Sequence, residues 1–476
     1  MRVLVIRHIF TLILILSLLQ GVEAQDSTVL YSAAIYGAGS TSQRSSFWLH
    51  SNQYGTVSTS GNFALAKFAI NKRYHPGNPR IIQWAAGIEA VASYGKQGDI
   101  FLSDAYMAAK LGPVEVLAGQ KKSITGIVDT VLTSGSLSIS GNARPIPVIQ
   151  IAIPEFYPLN FTGGFLSVKA SYSDGLLNSS DINYGAARHI PNTYFHQKSV
   201  YFRLGNEQMK LNGYAGMNHQ AVWGGESEIY PIQEISNSKA YWHTVTGTQY
   251  NHMRLGNHFG TIDLALKWKQ ENWTYFVYRQ NVYDTGSLFK VVNFQDGLNG
   301  LSIKRTKRIT EPYFVFNSFL LEMVYTKNQR NNNPMSGLGI YETANYYNHF
   351  IYRNGWSYYG RNMGTPLIAN ATDDRQDVRS TEFTHNNRIM AFNLGATAAW
   401  LNSNLLFRCT YSRNFGTYVN PLPYGKNQFS FIINGEHNLN GRRGLAIQLT
   451  AASDIGQLYR NSNSIMLGVK KTGFLN

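Results

Sequence analysis

Leu405-Leu406-Phe407-Arg408-Cys409-Thr410-Tyr411-Ser412 sorts into two faces. Leu405, Phe407, Cys409 and Tyr411 fall on one; Arg408, Thr410 and Ser412 fall on the other. A period of two belongs to a β-strand with unlike surroundings on its two sides. The same sorting recurs elsewhere. Leu445, Ile447 and Leu449 oppose Gln448 and Thr450; Ile465, Leu467 and Val469 alternate with Met466, Gly468 and Lys470. Within Thr261–Trp268, Ile262, Leu264, Leu266 and Trp268 oppose Asp263 and Lys267. A soluble β-sandwich or propeller alternates too, so the period leaves both architectures open.

Connection lengths separate them. Bacterial outer-membrane barrels pair short periplasmic turns with longer outer loops. Counting back from a last strand near 464–474 that ends in the periplasm, 453–463 is long, 437–444 short, 415–426 long and 401–403 short. Then come Arg353–Asn387, very long, and a shorter connection around Lys327–Met335. Gln280–Pro312 is very long, 269–272 short, Asn218–Gly260 very long and 205–209 short. A soluble domain has no reason to keep that parity. Twelve strands are expected between Phe165 and Phe474. Six more are expected near 29–36, 63–72, 81–94, 100–110, 113–119 and 148–156. The expected fold class is therefore all-β, a transmembrane barrel of about 18 antiparallel strands, with Lys121–Gly141 forming a periplasmic helix or a plug.

Composition agrees. Charged residues are 14% of the 476, against about 25% in ordinary soluble domains. Aromatics reach 13%, with 30 Tyr, and there are 43 Gly. Arg2 and Arg7, the apolar run Ile9–Leu19 and the small residues ahead of Gln25 mark residues 1–24 as a signal peptide, too short to span a bilayer. Residues 25–476 then form a single barrel domain. One cysteine, Cys409, excludes an internal disulfide framework. Without Arg2, Arg7 and Glu23, the 42 basic and 27 acidic residues become 40 and 26, a net charge of +14. Outside the cell, that balance points to acidic polysaccharide, lipopolysaccharide and lipid headgroups as partners, and no motif points to nucleic acid.

No catalytic motif is present: no serine elbow, P-loop, HExxH or CxxC, and no cofactor is expected. His243, His252 and His258 share one outer loop at a spacing unlike a zinc site. Asp373, Asp374, Arg375, Asp377 and Arg379 read as a solvated charge run. The outer loops instead carry flat rings and guanidinium forks: Trp223, Tyr230, Tyr241 and Trp242 in one, Trp356, Tyr358, Tyr359 and Arg361 in another. Rings stack on sugar faces and Arg binds carboxylates bidentately, although an interfacial aromatic girdle would use the same residues. The basic run Lys304, Arg305, Lys307 and Arg308 is expected in or beside an outer loop.

His196-Gln197-Lys198-Ser199-Val200-Tyr201-Phe202-Arg203-Leu204-Gly205, followed by Asn218-His219-Gln220-Ala221-Val222-Trp223-Gly224-Gly225-Glu226, resembles the capsule-assembly outer-membrane family, the Wzi-like proteins. Further blocks agree: Ser140–Pro147 leading to Ile153-Pro154-Glu155; Gly256-Asn257-His258 with Asp296–Gly300; and Tyr347-Asn348-His349 through Gly355–Arg361 to Gly364–Leu367. The resemblance extends from about Phe47 to the end. It implies an 18-stranded barrel closed at its inner end by periplasmic helices, and a non-enzymatic, lectin-like role in holding exported capsular polysaccharide or exopolysaccharide at the cell surface. Binding residues taken from motif and loop placement are Trp223, His219, Arg203, Trp356 and Arg361. Where barrels of this kind end on an aromatic residue, this chain ends Phe474-Leu475-Asn476, so its assembly signal is expected to be shifted or weakened. A sugar- or ion-conducting porin and an outer-membrane lipase or deacylase remain as alternatives.

Overall fold

The computed structural model describes residues 29–75, 81–284, 293–307, 314–329, 344–373, 382–439 and 444–475. The signal segment, Arg308 and the charges from Asp374 to Arg379 lie outside these residues. Eighteen strands form one sheet. The first six are β1 (Val29–Ser40), β2 (Phe63–Lys72), β3 (Ile82–Tyr94), β4 (Gly98–Leu111), β5 (Val114–Gln120) and β6 (Pro147–Pro158). The middle six are β7 (Leu166–Leu176), β8 (Tyr194–Leu204), β9 (Leu211–Trp223), β10 (Asn257–Lys269), β11 (Trp273–Asp284) and β12 (Gly297–Arg305). The last six are β13 (Val315–Tyr325), β14 (Ile389–Trp400), β15 (Ser403–Gly416), β16 (Pro421–Asn438), β17 (Leu445–Gly456) and β18 (Ser462–Phe474). Each pairs antiparallel with its chain neighbours. β1 also pairs with β18, from Leu30↔Phe474 to Ser40↔Ser464, so the sheet closes and no edge is left.

The alternation predicted from the sequence sets which side chains face out. Leu264, Leu266, Leu394, Phe407, Leu449, Leu467 and their counterparts on other strands stay exposed around the wall. In water such a belt would far exceed the few hundred Å² of apolar patch that monomers tolerate. In a bilayer it is the favourable surface, and every backbone group along it is already hydrogen-bonded within the sheet. No helix among the described residues is long and apolar enough to cross a membrane; the crossing is made by strands.

Arg408, Thr410 and Ser412 point inward, as their alternation requires, and are buried there. They meet protein rather than a water column. Three outer connections, 41–62, 121–146 and 326–388, fold down into the barrel and share one hydrophobic core with the wall. The first brings α1 (Phe47–His50), whose Trp48 donates Nε1–H to Thr410 Oγ1 at 3.2 Å beneath the Arg408 guanidinium. The second is the plug that the sequence allowed over Lys121–Gly141. The periplasmic helices that the resemblance implies reduce, among the described residues, to the single 3-10 turn Asn160–Thr162. The reason is visible in the packing: connections from the opposite side already occupy the lumen.

Buried carboxylates fasten the plug. Glu322 accepts from Thr133 Oγ1 at 2.7 Å, Ser134 N at 2.6 Å, Tyr278 Oη at 2.5 Å and Asn393 Nδ2 at 3.3 Å. Asp129 accepts from Leu132 N at 2.9 Å and Ser302 Oγ at 2.6 Å, and pairs with Lys304 Nζ at 3.0 Å. Asp263 accepts from Ile127 N at 2.7 Å and Gln280 Nε2 at 3.0 Å. A carboxylate is tolerated away from water only with several donors around it, so each of these anchors is also a constraint on where the plug lies.

Two sequence readings are corrected here. Gln280–Pro312 is not one outer loop, because β12 crosses within it. The stretch expected as a strand between Lys327–Met335 and Arg353–Asn387 instead falls in the single outer connection 326–388, of which 330–343 and 374–381 lie outside the described residues. The two errors offset each other, so the expected twelve strands after Phe165 stand. β12 was hard to see because its outward positions, Asn299, Leu301, Ile303 and Arg305, hold only two apolar residues. As a consequence, Lys304, Arg305 and Lys307 lie at the periplasmic end, not in an outer loop.

The parity is directly testable. Val419, 81% exposed, lies in the outer turn between β15 and β16; Leu401, 63% exposed, lies in the periplasmic turn between β14 and β15. In a Cys409→Ser background, Val419→Cys should react on intact cells with a membrane-impermeant maleimide. Leu401→Cys should react only after lysis. The reverse pattern would overturn the orientation.

Candidate functional site

The five residues singled out from the sequence do not converge. Trp356 is 0% exposed, packed against Phe259 and Phe195 at ring separations of 5.7 and 6.2 Å over the plug. It is a core residue. Trp223 is buried beside Tyr194 and Tyr241, on the outer surface of the wall but under α2 (Glu226–Ile229) and α3 (Asn237–Thr246) of the connection 224–256. His219 lies under the same cover, with Nε2 2.9 Å from His258 Nδ1. Arg203 faces the lumen at the periplasmic end, donating to Ser167 Oγ and pairing with Glu207, both at 3.0 Å. Of the loop histidines, His258 is taken by His219 and the Leu255 carbonyl, and His243 by Thr248 Oγ1. Among the described residues no three metal-ligating side chains cluster.

Arg361 alone lies in an outward recess. Its Nη1 and Nη2 donate to the carbonyls of His50 and Val57 at 2.9 and 2.8 Å, clamping connection 41–62 against connection 326–388. Burial lowers its pKa to about 10, with Asp373 opposing that shift, so it stays charged at neutral pH. Around it, a recess of about 330 Å³ is bordered by Arg44, Lys96, Arg460, Tyr459 and Asn370. A second, of about 510 Å³, shares Lys96, Arg361 and Asp373 and adds Arg144 and Tyr359. The Arg144 guanidinium lies 3.4 Å from the Phe101 centroid and 4.4 Å from that of Tyr359, whose own ring is exposed.

Some of this positive charge is compensated. Arg44 pairs with Asp373 at 2.5 Å and Arg144 with Asp99. Lys96 donates to Gln43 Oε1 at 3.2 Å, and Arg460 forms no ion pair among the described residues. The mouth thus offers uncompensated cations, a guanidinium stacked between rings and amide side chains. That inventory suits a polymer with carboxylates and hydroxyls. Sequence reasoning missed Arg44, Lys96 and Arg460, because three separate connections bring them together and no spacing marks the set. Arg144 lies in one of the blocks that carried the resemblance.

The recess also holds the pair that an esterase reading would single out. Ser45 Oγ is 3.0 Å from His50 Nδ1. But Ser45 Oγ donates to the Ser58 carbonyl at 3.0 Å, so its proton is directed away from the imidazole that a nucleophile would need as base. Burial and then the charges of Arg361 and Arg44 hold His50 well below its ordinary pKa.

Fold and mouth together define an outer-membrane β-barrel whose lumen is filled and whose accessible polar surface faces outward. A family model, the capsule assembly protein Wzi, matches residues 38–398, and the chain belongs to that family. Among solved structures it is similar to Wzi of Escherichia coli, described as an outer-membrane protein involved in group 1 capsule assembly and a carbohydrate-binding β-barrel. That match has 14% identity and a TM-score of 0.58, covering 93% of this chain and 85% of the other. It is also similar to OpdL of Pseudomonas aeruginosa, at 8% identity and a TM-score of 0.50, covering 95% and 99%. At these identities the likeness is one of fold. No match was found among curated proteins.

Proposed function

We propose that the mature chain, a single barrel domain from residue 25 onward, acts in capsule assembly as a non-enzymatic lectin. It holds an acidic capsular polysaccharide or exopolysaccharide at its outer mouth, with outer-membrane lipid and lipopolysaccharide around its wall. One observation carries this reading: Arg44, Lys96, Arg144, Arg361 and Arg460 converge on recesses that open outward, above a lumen filled with protein. Family membership and the +14 balance of the chain point the same way. The filled lumen weighs against the porin alternative.

Purified barrel bound to the purified native polysaccharide tests it. Retention should fall but persist between ~0.1 and ~1 M salt, as the screening length shrinks from about 10 to about 3 Å while stacking is unaffected. Lys96→Met with Arg460→Met should weaken binding about tenfold, roughly 1.4 kcal/mol, without disturbing the fold, since neither side chain holds a buried contact. Equal binding by wild type and the double variant would move the site elsewhere.

A further inference from the structure

A third space, of about 340 Å³, lies inside the barrel between the plug and the wall formed by β5 to β8. Its volume is at the lower end of the range of about 300–1,000 Å³ typical of small-molecule sites. It is bordered by Tyr54 and Arg144 toward the mouth and by Pro154, Lys169 and Tyr201 farther in, a gap in the otherwise packed lumen. Arg144 also borders the outer recess, so the two spaces adjoin.

The lining is built for a polar ligand with one apolar face. Ser171, Ser173, Ser199, Gln150 and Gln197 project from alternating inward positions on three adjacent strands, with Ser171 bonded to Ser199 at 2.7 Å and Ser173 donating to Gln150 at 3.0 Å, so that they meet a ligand through their remaining lone pairs, while Phe195 borders the cavity from its buried position. Two groups are left without protein partners. Tyr201, 3% exposed, has a buried hydroxyl with no hydrogen bond. Lys169 faces the lumen and forms no hydrogen bond or ion pair with any described residue. Glu155, the acid whose charge acts on it, is exposed and makes no ion pair with it. The other cations on the lining are accounted for: Lys122 pairs with Glu89, Arg144 pairs with Asp99, and Lys121 lies 4.9 Å from the Tyr106 ring centroid. Glu115, the carboxylate on the lining, accepts from Tyr74 Oη at 2.8 Å. A buried hydroxyl with nothing to bond is costly unless a ligand or water meets it, and the half-buried Lys169 ammonium beside it is open to an anion.

We propose that this cavity is a binding site for a single small acidic sugar. Its carboxylate sits at Lys169, a hydroxyl accepts from Tyr201, and the remaining hydroxyls meet the serine and glutamine rows. The inference stands apart from polymer holding at the mouth.

Isothermal titration of the purified full-length mature barrel with sodium glucuronate, and with glucose as the neutral control, tests it. Glucuronate should bind at least tenfold more tightly than glucose. Lys169→Met should remove that preference while leaving glucose binding unchanged. Tyr201→Phe should weaken both ligands several-fold, and Trp242→Ala, on the exposed face of α3, should change neither. No heat from glucuronate, equal affinity for the two sugars, or loss in Trp242→Ala with Lys169→Met unaffected would each overturn the lumenal site. Should Lys169→Met not assemble, Lys169→Gln keeps a hydrogen-bond donor without the charge and should show the same loss of preference. None of these outcomes touches polymer retention, which is read on a different ligand.

Discussion

Cutting residues 127–137 out of the plug and joining the ends with two glycines is expected to convert a silent barrel into a conducting one. Thr125 and Ile139 already face each other across an antiparallel bridge, so the ends can be joined without moving the rest. The excised stretch carries Val128, Asp129, Leu132, Thr133, Ser134 and Leu137, which fill the lumen beneath connection 326–388. Its removal leaves Glu322, Asp263 and Gln280 without their plug donors, and water is the partner that replaces them. In planar bilayers the intact barrel should show little or no steady conductance. The excised barrel should show a stable current. A large steady current through the intact barrel would put the porin reading ahead of the present one.

Trp356→Ala carries the next largest expected effect, and it is an effect on stability. The indole is fully enclosed between connection 326–388, the plug and the inner faces of β8 and β10. Removing a buried aromatic of this size costs about 3–5 kcal/mol in a packed core. Folded barrels that migrate compactly in detergent electrophoresis should therefore lose that form at a clearly lower temperature. Trp242→Ala, on the exposed face of α3 at 64% exposure, should stay within about 0.5 kcal/mol of wild type. A melting profile for Trp356→Ala equal to that for Trp242→Ala would contradict the packed lumen.

That contrast also shows what the sequence could and could not convey. Most strand positions were legible because one side of each strand meets lipid: Leu405, Phe407, Cys409 and Tyr411 against Arg408, Thr410 and Ser412 read correctly, and the total of eighteen strands matches the expected number. β12 was lost because its lipid-facing side offers only Leu301 and Ile303 between Asn299 and Arg305. The loops were misread for a different reason. An aromatic in a long outer connection looks like an exposed ring ready for a sugar, but here the connections turn inward and Trp356 becomes core. Trp223 is hidden in the same way by α3, which lies back over the wall. Arg361 was found because a guanidinium beside Tyr358 and Tyr359 fits either a structural clamp or an anion seat, and here it borders the recess while holding two carbonyls. Its companion Arg460 lies hundreds of residues from Arg44 and Lys96, and only closure of the barrel brings β18 beside β1 and gathers them.

The most direct measurement is the partition of capsular polysaccharide or exopolysaccharide between pelleted cells and medium. It compares a strain lacking this chain with the same strain carrying wild type or the Lys96→Met, Arg460→Met variant. Wild type should keep the polymer on the cells. The deletion and the double variant should release it into the medium with total polymer unchanged, the variant barrel still being present in the outer membrane. Equal retention with and without the chain would contradict the account.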